Sequence, residues 1–468
     1  MKNIKYLKLF KAAPVILVLI LFSVRLNAAE TPAKLPLNKF IETTAKTDTM
    51  FEQILLRELK LNYTKAPAMP VSDFIIGVKG RYYFPAADND TPVREAAVSL
   101  SKLFPSAGAG LEASYSARDS ALTGAETSSF TAELSVPIAK NAFGSVNRLT
   151  DEITGAENDI AAHQVVESYE EYLAALINLY YTWYSNYAAM RTAKTALNES
   201  KRLLKNIRQR KKSGIAYEID VNKMKLQALD KEQNYLSIKN TYDNTLILVK
   251  EAMRSNKNFM PTEPGIYKNT AEEKENVNEI IKKSRTGKII ALTSKTAELS
   301  VNKSFNNLFP SAYVSAGYET EGSGYYLDSN EHKVFAGFSL DLPLITGQKE
   351  RARYETAKIE NKIQKLSKKS SFASLVSKIK NLRLKISAQK KISGLAREKI
   401  SAAENVLKEE RAYYNRARSS LNDLISAING LEQAKFSAIS AEIALNKLIV
   451  DYLRVTDRLV RKNEITRP

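Results

Sequence analysis

The chain contains the five-residue sequence Leu-Phe-Pro-Ser-Ala twice, at residues 103–107 and 308–312. Further landmarks recur at nearly the same spacing, namely Pro137 with Pro343 and Asp220 with Asp423. Landmarks that stay in register over this distance indicate an internal duplication, which has to be recognised before single elements are assigned. Each half is therefore expected to contain the same elements in the same order.

Each half also contains a stretch that is free of proline and long enough for a very long helix. No proline lies between residues 137 and 261, and the apolar spacing is helical over 145–212 and 218–253. The second half repeats this over 348–416, with a break at 418–420. A helix of that length extends roughly 100 Å at 1.5 Å per residue. Such a helix is much longer than the diameter of a small globular domain.

After each Leu-Phe-Pro-Ser-Ala sequence the period of the apolar residues changes to two. Apolar residues alternate with glycine, serine and charged residues over 107–118 and 130–138 in the first half. The second half has matching segments at 312–319 and 334–342. Alternation over about ten residues predicts hairpins of β-strands with one apolar and one polar face.

The first 29 residues have the organisation of a secretory signal peptide. Lysines precede an apolar run at 12–24, and Ala28 and Ala29 supply small residues for cleavage. An uncleaved N-terminal membrane anchor is the alternative, because Arg25 is unusual near a cleavage site. No other stretch approaches the roughly 18 apolar residues of a spanning helix. The chain is therefore expected to be exported.

The composition argues against most catalytic chemistry. The chain has two histidines and no cysteine, which disfavours zinc, iron–sulfur and thiol-redox sites. No motif typical of an enzyme is present. We expect no enzymatic activity, no cofactor and no metal ion. Nucleic acid is not expected as a partner either, because the chain is exported, although its net charge is +19.

An exported hairpin whose apolar face has no core to pack on is typical of a membrane β-barrel. Lipid does not tolerate an open sheet edge, and four strands are too few to close a barrel. Several copies must therefore contribute strands, and three copies would give a barrel wider than the eight-stranded kind, which its own side chains fill. The predicted class is α+β: a membrane β-barrel with four strands per protomer, continued by a long α-helical coiled-coil barrel, with internal structural duplication.

The expected organisation begins with the signal peptide (1–29) and N-terminal periplasmic helices (30–104). The latter have an irregular insertion at about 63–92, a helix at 93–103, and a segment at 74–84 that fits either a strand or a distorted helix. The remaining parts are the first barrel hairpin (105–138), the first long helical hairpin (139–255), an equatorial linker (256–271), the helix of the second repeat (272–309), the second barrel hairpin (310–344), the second long helical hairpin (345–460) and a C-terminal tail (461–468).

Four features in this order resemble the outer membrane efflux protein (TolC) family. They are Leu-Phe-Pro-Ser-Ala before a strand, Leu-Asp-Leu-Pro-Leu-Ile-Thr-Gly at 340–347, the long helices, and Gly-Ile-Ala-Tyr-Glu-Ile-Asp-Val at 214–221. The resemblance covers the chain from about residue 93 onward. It implies a homotrimer in the outer membrane of a Gram-negative type cell, with a twelve-stranded barrel in contact with lipid and a twelve-helix periplasmic tunnel.

The resemblance further implies a passive exit duct of a tripartite efflux or type I secretion system. Such a duct is coupled to an inner-membrane transporter through a periplasmic adaptor protein. The alternative is a non-conducting periplasmic coiled-coil scaffold or adaptor protein. An adaptor would normally have one helical hairpin, whereas this chain has two matched halves.

The same resemblance assigns the two helix breaks to periplasmic tips that contact the adaptor. The corresponding residues are Ser213, Gly214, Ile215 and Ala216 at the first tip and Ser419 and Ser420 at the second. Ala417 stands where the family usually has glycine.

Charged residues flank both tips. Asp220 and Asp423 follow the breaks and would either cap a helix N-terminus or form a gate at a closed tunnel mouth. Capping is favoured for Asp220, whereas both roles stay open for Asp423. A basic face precedes the first tip and consists of Lys201, Lys205, Arg208 and Lys212. It is either a solvated surface or a basic lining or docking surface that would favour anionic cargo or an acidic partner.

Overall fold

The computed structural model describes residues 33–68, 70–84, 92–120, 126–265, 275–324, 331–342 and 347–460. The predicted signal peptide, the C-terminal tail and Pro343 lie outside these residues. In chain order the elements are β1 (Ala33–Leu35), α1 (Leu37–Thr47), α2 (Thr49–Leu61), β2 (Phe74–Tyr83), β3 (Val93–Phe104), β4 (Ala109–Ser120), β5 (Glu126–Pro137), α3 (Ser145–Lys212), α4 (Glu218–Ala252), β6 (Phe259–Pro261), α5 (Val277–Lys283), α6 (Arg285–Asn306), β7 (Ser311–Ser323), β8 (His332–Asp341), α7 (Gly347–Asn415) and α8 (Leu421–Val455).

The long helices confirm the duplication. Helices α3 and α7 contain 68 and 69 residues, and α4 and α8 contain 35 each. After each of the four helices, the second following residue has a positive φ: Gly214, Arg254, Ala417 and Asp457. At each end the next amide donates to the carbonyl five residues earlier, which satisfies a carbonyl that the helix leaves free. The four termini are thus the same local structure, used twice in each half.

The sheet has six strands where four were expected. Its order is β2-β3-β4-β5-β7-β8, and every neighbouring pair is antiparallel. The predicted helix at 93–103 is wrong, because this segment is strand β3. Its alanine, glutamate, lysine and leucine residues favour a helix locally. Pairing with β4 along the whole of β3, and with β2 over residues 93–102, overrides that preference.

The two Leu-Phe-Pro-Ser-Ala copies consequently occupy different places in the fold. The second copy joins helix α6 to strand β7, as predicted, whereas the first forms a tight turn between β3 and β4. A Cβ atom on Gly144 would lie 2.5 Å from the Ser106 oxygen, so only glycine allows this approach. The side-chain amide nitrogen of Asn147 also donates to the Pro105 backbone oxygen at 3.0 Å. The turn is therefore fixed against the start of α3.

The helices form a wall with two free edges. Helix α3 packs on α2, α4, α6 and α8, while α7 packs on α6 and α8. The row α2-α3-α6-α7 therefore has α2 at one edge and α7 at the other, and nearer the tips α4 packs on α3 and also reaches α8 through Lys231 and Glu432. The side chains of Tyr180, Tyr181 and Trp183 are fully buried at the middle of α3, where Tyr180 donates to the Leu35 oxygen on β1 at 2.8 Å. Among the described residues, no helix is both long and apolar enough to cross a membrane.

Candidate functional surfaces

The sheet exposes a mainly apolar face that spans all six strands. Residues opposite one another in register form one row of this face, Ile76, Leu100, Ala113, Ala132, Tyr318 and Val334. A neighbouring row consists of Phe74, Lys102, Leu111, Leu134, Ala316 and Ala336. Val78 and Val334 are 80% and 85% exposed. In the part of the chain that the structure describes, no helix covers this face.

The opposite face of the sheet is polar. One row consists of Gly77, Ser99, Ser114, Thr131, Glu319 and Lys333. In the next row the Ser116 and Ser129 hydroxyls are hydrogen-bonded at 2.8 Å, and Lys79 and Glu321 lie at its ends. A sheet that is apolar on one exposed face and polar on the other can separate lipid from water.

The two helix tips share one backbone geometry. After α3, Gly214 has a φ of 71° and the Ile215 amide donates to the Arg210 oxygen at 2.9 Å. After α7, Ala417 has a φ of 57° and the Arg418 amide donates to the Tyr413 oxygen at 2.9 Å. The replacement of glycine by alanine at the second tip thus leaves the turn unchanged but places a Cβ atom in the left-handed region.

Asp220 and Asp423 both accept hydrogen bonds at helix N-termini. Asp220 accepts from the Tyr217 amide at 3.1 Å, and Asp423 accepts from the Ser420 amide at 3.2 Å. The Ser420 hydroxyl accepts in return from the Asp423 amide at 3.2 Å, which completes a capping box at α8. The carboxylates thus stabilise the first turns of α4 and α8, and a gating role stays a prediction.

The predicted tip residues divide into an exposed group and a packed group. Ser213, Gly214 and Ile215 are exposed at the first tip. Ala216 is half-buried against a small core between the tips, formed by Ile207, Val221, Met224 and Leu421. Ser419 is also half-buried, and its hydroxyl donates to Glu410. Ser420 is exposed and serves in the cap.

Two residues that the sequence interpretation missed enlarge the exposed surface of the first tip. Tyr217 and Ile219 are 79% and 61% exposed, and Ile215 beside them is 72% exposed. Two of these large apolar side chains lie in the loop between the helices and the third lies in the first turn of α4, and water solvates such exposed apolar groups poorly. Their position directly beside the helix break was the available signal in the sequence.

The basic face before the first tip is exposed at all four predicted positions. Lys201 forms an ion pair with Glu232 on α4, with 2.8 Å between the charged atoms. Lys205, Arg208 and Lys212 have no ion-pair partner among the described residues. The positive charge of this face is therefore only partly neutralised, and its role as a lining stays a prediction.

A pair of substitutions tests the geometry of the tips. Gly214→Ala should destabilise the first tip by about 1 kcal/mol, because no atom contacts the added Cβ and only its left-handed backbone is penalised. Amide hydrogen exchange at Ile215 should accelerate roughly fivefold. Ala417→Gly should not accelerate exchange at Arg418, because alanine already pays that conformational penalty there. If Ala417→Gly accelerated exchange at its tip as much as Gly214→Ala does at the other, the backbone conformations of the two turns would differ in free energy.

A charged cluster ties α3 to the start of α6 and the end of α8. The Arg285 guanidinium lies 2.6 Å from Glu170, 3.3 Å from Asp457 and 3.6 Å from Glu167. Glu170 is completely buried and also accepts from the Val460 amide at 3.1 Å. Oxygen atoms of the three carboxylates lie within 4.8 Å of one another. One arginine therefore offsets three acidic groups, and the sequence interpretation did not predict this cluster.

Burial shifts the acid–base behaviour of this cluster. It raises the pKa of Glu167, Glu170 and Asp457 above the usual carboxyl range, while the charge of Arg285 opposes that rise. A carboxyl whose pKa is raised in the folded state binds its proton more tightly there than in the unfolded chain. The cluster therefore contributes most to stability at acidic pH, and this contribution is lost as pH rises through the raised pKa values.

Comparison with known proteins identifies the fold. No model of a known protein family matches the sequence, and no curated protein matches it significantly. The structure of CusC matches with a TM-score of 0.69 at 10% identity, over 93% of this chain and 95% of CusC. The outer membrane protein VceC of Vibrio cholerae gives a TM-score of 0.67 at 13% identity, over 90% and 95%.

The MtrE outer membrane channel of Neisseria gonorrhoeae, in its open state, gives a TM-score of 0.61 at 14% identity, over 90% of this chain and 88% of MtrE. These neighbours are TolC-family outer membrane channels. At such low identity the likeness establishes the fold alone. The resemblance predicted from the sequence is confirmed at that level.

Proposed function

We propose that the chain is an outer-membrane exit duct of a tripartite efflux or type I secretion system. The observation that carries the proposal is the uncovered apolar face of the sheet, attached to helices of 68 and 69 residues. Such a face is stable against lipid and unstable against water. The fold shared with outer membrane channels supports the same location, with the helices in the periplasm.

The proposed duct is a homotrimer, because one copy leaves both edges of its wall open. Large apolar side chains are exposed on the edge helices at the same level of the wall, for example Leu226 and Leu229 on α4 and Leu395 and Val406 on α7. Packing α4 of one copy on α7 of the next would bury these side chains. Three copies would then enclose a tunnel of twelve helices, continuous with the polar face of the sheet.

The tips are proposed to contact a periplasmic adaptor, which links the duct to an inner-membrane transporter. The exposed side chains of Ile215, Tyr217 and Ile219 support this role, because an apolar patch at a helix tip favours burial against a protein partner. The duct itself would be passive, and the transporter would supply the energy.

A matched pair of arginine substitutions on β3 tests the membrane location. Leu100 lies on the apolar face and Ser99, its neighbour, on the polar face. Leu100→Arg should cost roughly 2–4 kcal/mol if the residue faces lipid, and the outer-membrane fraction of the protein should fall strongly. Ser99→Arg should assemble normally. Equal, mild effects of both substitutions would favour the alternative, a periplasmic scaffold.

Conductance tests the duct itself. The purified protein should run as a trimer in detergent and conduct ions in a planar bilayer. If the basic face lines the tunnel, Lys205→Glu with Arg208→Glu should shift the selectivity of the pore toward cations. Strong cation selectivity of the unaltered protein would remove the proposal of anionic cargo. A monomer without conductance would contradict the duct.

The tip patch is tested by export. Ile215→Asp with Tyr217→Asp should leave the trimer and its conductance intact, because both side chains are exposed and unpacked. Export by the complete assembly should fall at least tenfold, because a buried carboxylate opposes an apolar contact. Ser213→Asp, on the same loop, is the matched control. Normal export in the double variant would remove these residues from the adaptor contact.

A further inference from the structure

The β2–β3 hairpin has no counterpart among the described residues of the second half of the chain. The second half passes from α6 directly into β7, whereas the first half inserts β2 and β3 between α2 and β4. The sheet of one copy therefore contains two strands more than the duplication requires.

The inserted hairpin has the same strand pairing and the same two faces as the rest of the sheet. All ten residues of β2 are paired with β3, and all twelve residues of β3 are paired with β4. Its outer face continues the apolar rows, with Ile76 and Val78 exposed. Its other face continues the polar rows with Lys79 and Arg81, and the Tyr83 hydroxyl donates to Glu95 of β3 at 2.9 Å. The hairpin is thus an extension of the sheet, with both faces in register.

The insertion makes β2 and β8 the two edges of the sheet. Among the described strands, β2 pairs only with β3 and β8 pairs only with β7. Each edge strand has ten residues. Because all five pairings in the sheet are antiparallel, the first and sixth strands run in opposite directions. In lipid an unpaired edge costs several kcal/mol for each free backbone group. Each edge therefore needs a partner strand of matching length and direction.

We propose that β2 of each copy pairs with β8 of the next copy. Resting on the proposed trimer, this pairing closes a barrel of eighteen strands instead of the twelve that a four-stranded protomer would give. Barrel diameter grows about linearly with strand number, so this barrel is about half as wide again. The partner of each edge is a second copy of the same chain, and the barrel is incomplete without it.

The widths of the sheet and the helical wall support this closure. Six strands spaced about 4.8 Å apart and tilted by 35–45° cover roughly 35–41 Å of circumference. The four helices next to the sheet, α2, α3, α6 and α7, cover roughly 32–40 Å at 8–10 Å spacing. Four strands would cover only about 23–27 Å. The six-stranded sheet therefore continues its helical wall without a change in diameter.

Disulfide crosslinking of the full-length trimer tests the pairing. The chain has no cysteine, so every introduced thiol is unique. Ile76→Cys on β2 is combined in turn with Val334→Cys, Ala336→Cys or Phe338→Cys on β8, all on the apolar face. Ala113→Cys on β4, in the same row as Ile76, is combined with the same three positions as the matched set. Within one copy, β8 is five strands from β2 and three from β4, so any crosslink joins two copies.

Oxidation should shift most of the protein from monomer to covalent dimer and trimer on a denaturing gel for at least one Ile76→Cys pair. No shift is expected for the Ala113→Cys pairs. Crosslinking through Ala113→Cys would overturn the proposal, because β4 would then be the edge and the barrel would have twelve strands. An intact trimer without crosslinks through either position would also overturn it. The mass of the unmodified protein in detergent tests the trimer separately, and a monomer there would overturn the proposed function instead.

Discussion

Arg285→Gln should reduce the stability of the junction between α3, α6 and α8 by about 3–5 kcal/mol at neutral pH. The substitution removes the positive charge that lies between Glu167, Glu170 and Asp457. Glu170 is completely buried, so water cannot replace the lost partner. An uncompensated buried charge is among the few changes that have so large an effect.

Amide hydrogen exchange at the start of α6 and after α8 measures this loss in the assembled protein. Each 1.4 kcal/mol corresponds to a tenfold change, so exchange should accelerate by roughly two to four orders of magnitude. Lys295→Gln is the matched control, because Lys295 is exposed further along α6 and lies away from the cluster. Its effect should stay within about 0.5 kcal/mol.

The pH dependence separates the charge effect from lost packing. Burial already raises the pKa of the three carboxyl groups, and loss of the arginine removes the interaction that opposes this rise. As pH falls toward the usual carboxyl range, protonation neutralises the cluster, and the difference between Arg285→Gln and the unaltered protein should shrink. A difference that is constant with pH would mean that the arginine contributes by packing alone.

The sequence predicted those parts of the fold whose signal is local and long. Absence of proline and a steady helical period located α3 and α4 within one residue of their observed ends. The same signals failed for β3, because Glu95, Ala96, Ala97 and Lys102 favour a helix while the pairing that decides its structure comes from β2 and β4. Whether a segment forms a strand depends on the segments that pair with it, and these cannot be identified from the sequence of the strand itself.

The candidate surfaces likewise include parts that the sequence predicted and parts that it did not. The tips could be located because breaks in a long periodic pattern are local, and the apolar and polar faces followed from alternation. The Arg285 cluster could not be predicted, because its members come from α3, α6 and the end of α8, and each alone resembles a solvated charge. The exposure of Tyr217 and Ile219 likewise depends on the loop conformation that Gly214 permits.

A second buried ion pair joins the two helical hairpins in the half of the molecule that carries the tips. Lys231 on α4 pairs with Glu432 on α8, and their side chains are only 13% and 6% exposed. The Gln227 amide nitrogen donates to the Asn429 oxygen at 2.8 Å one turn away. These contacts connect α4 and α8 on the side of the molecule that carries the tips.

Lys231→Met should destabilise the contact between α4 and α8 by about 3–5 kcal/mol, because it leaves Glu432 buried without a positive partner. Lys231→Met combined with Glu432→Leu should recover most of that loss, since apolar side chains of similar size often replace a buried ion pair without cost. Thermal unfolding of the detergent-solubilised protein, read with exchange along α8, measures all variants. Lys223→Met, on the exposed side of α4, is the control. If the double variant is as unstable as Lys231→Met alone, the attraction between Lys231 and Glu432 exceeds the free energy that their desolvation costs. If the single variant resembles the control, the pair is not what joins the two hairpins.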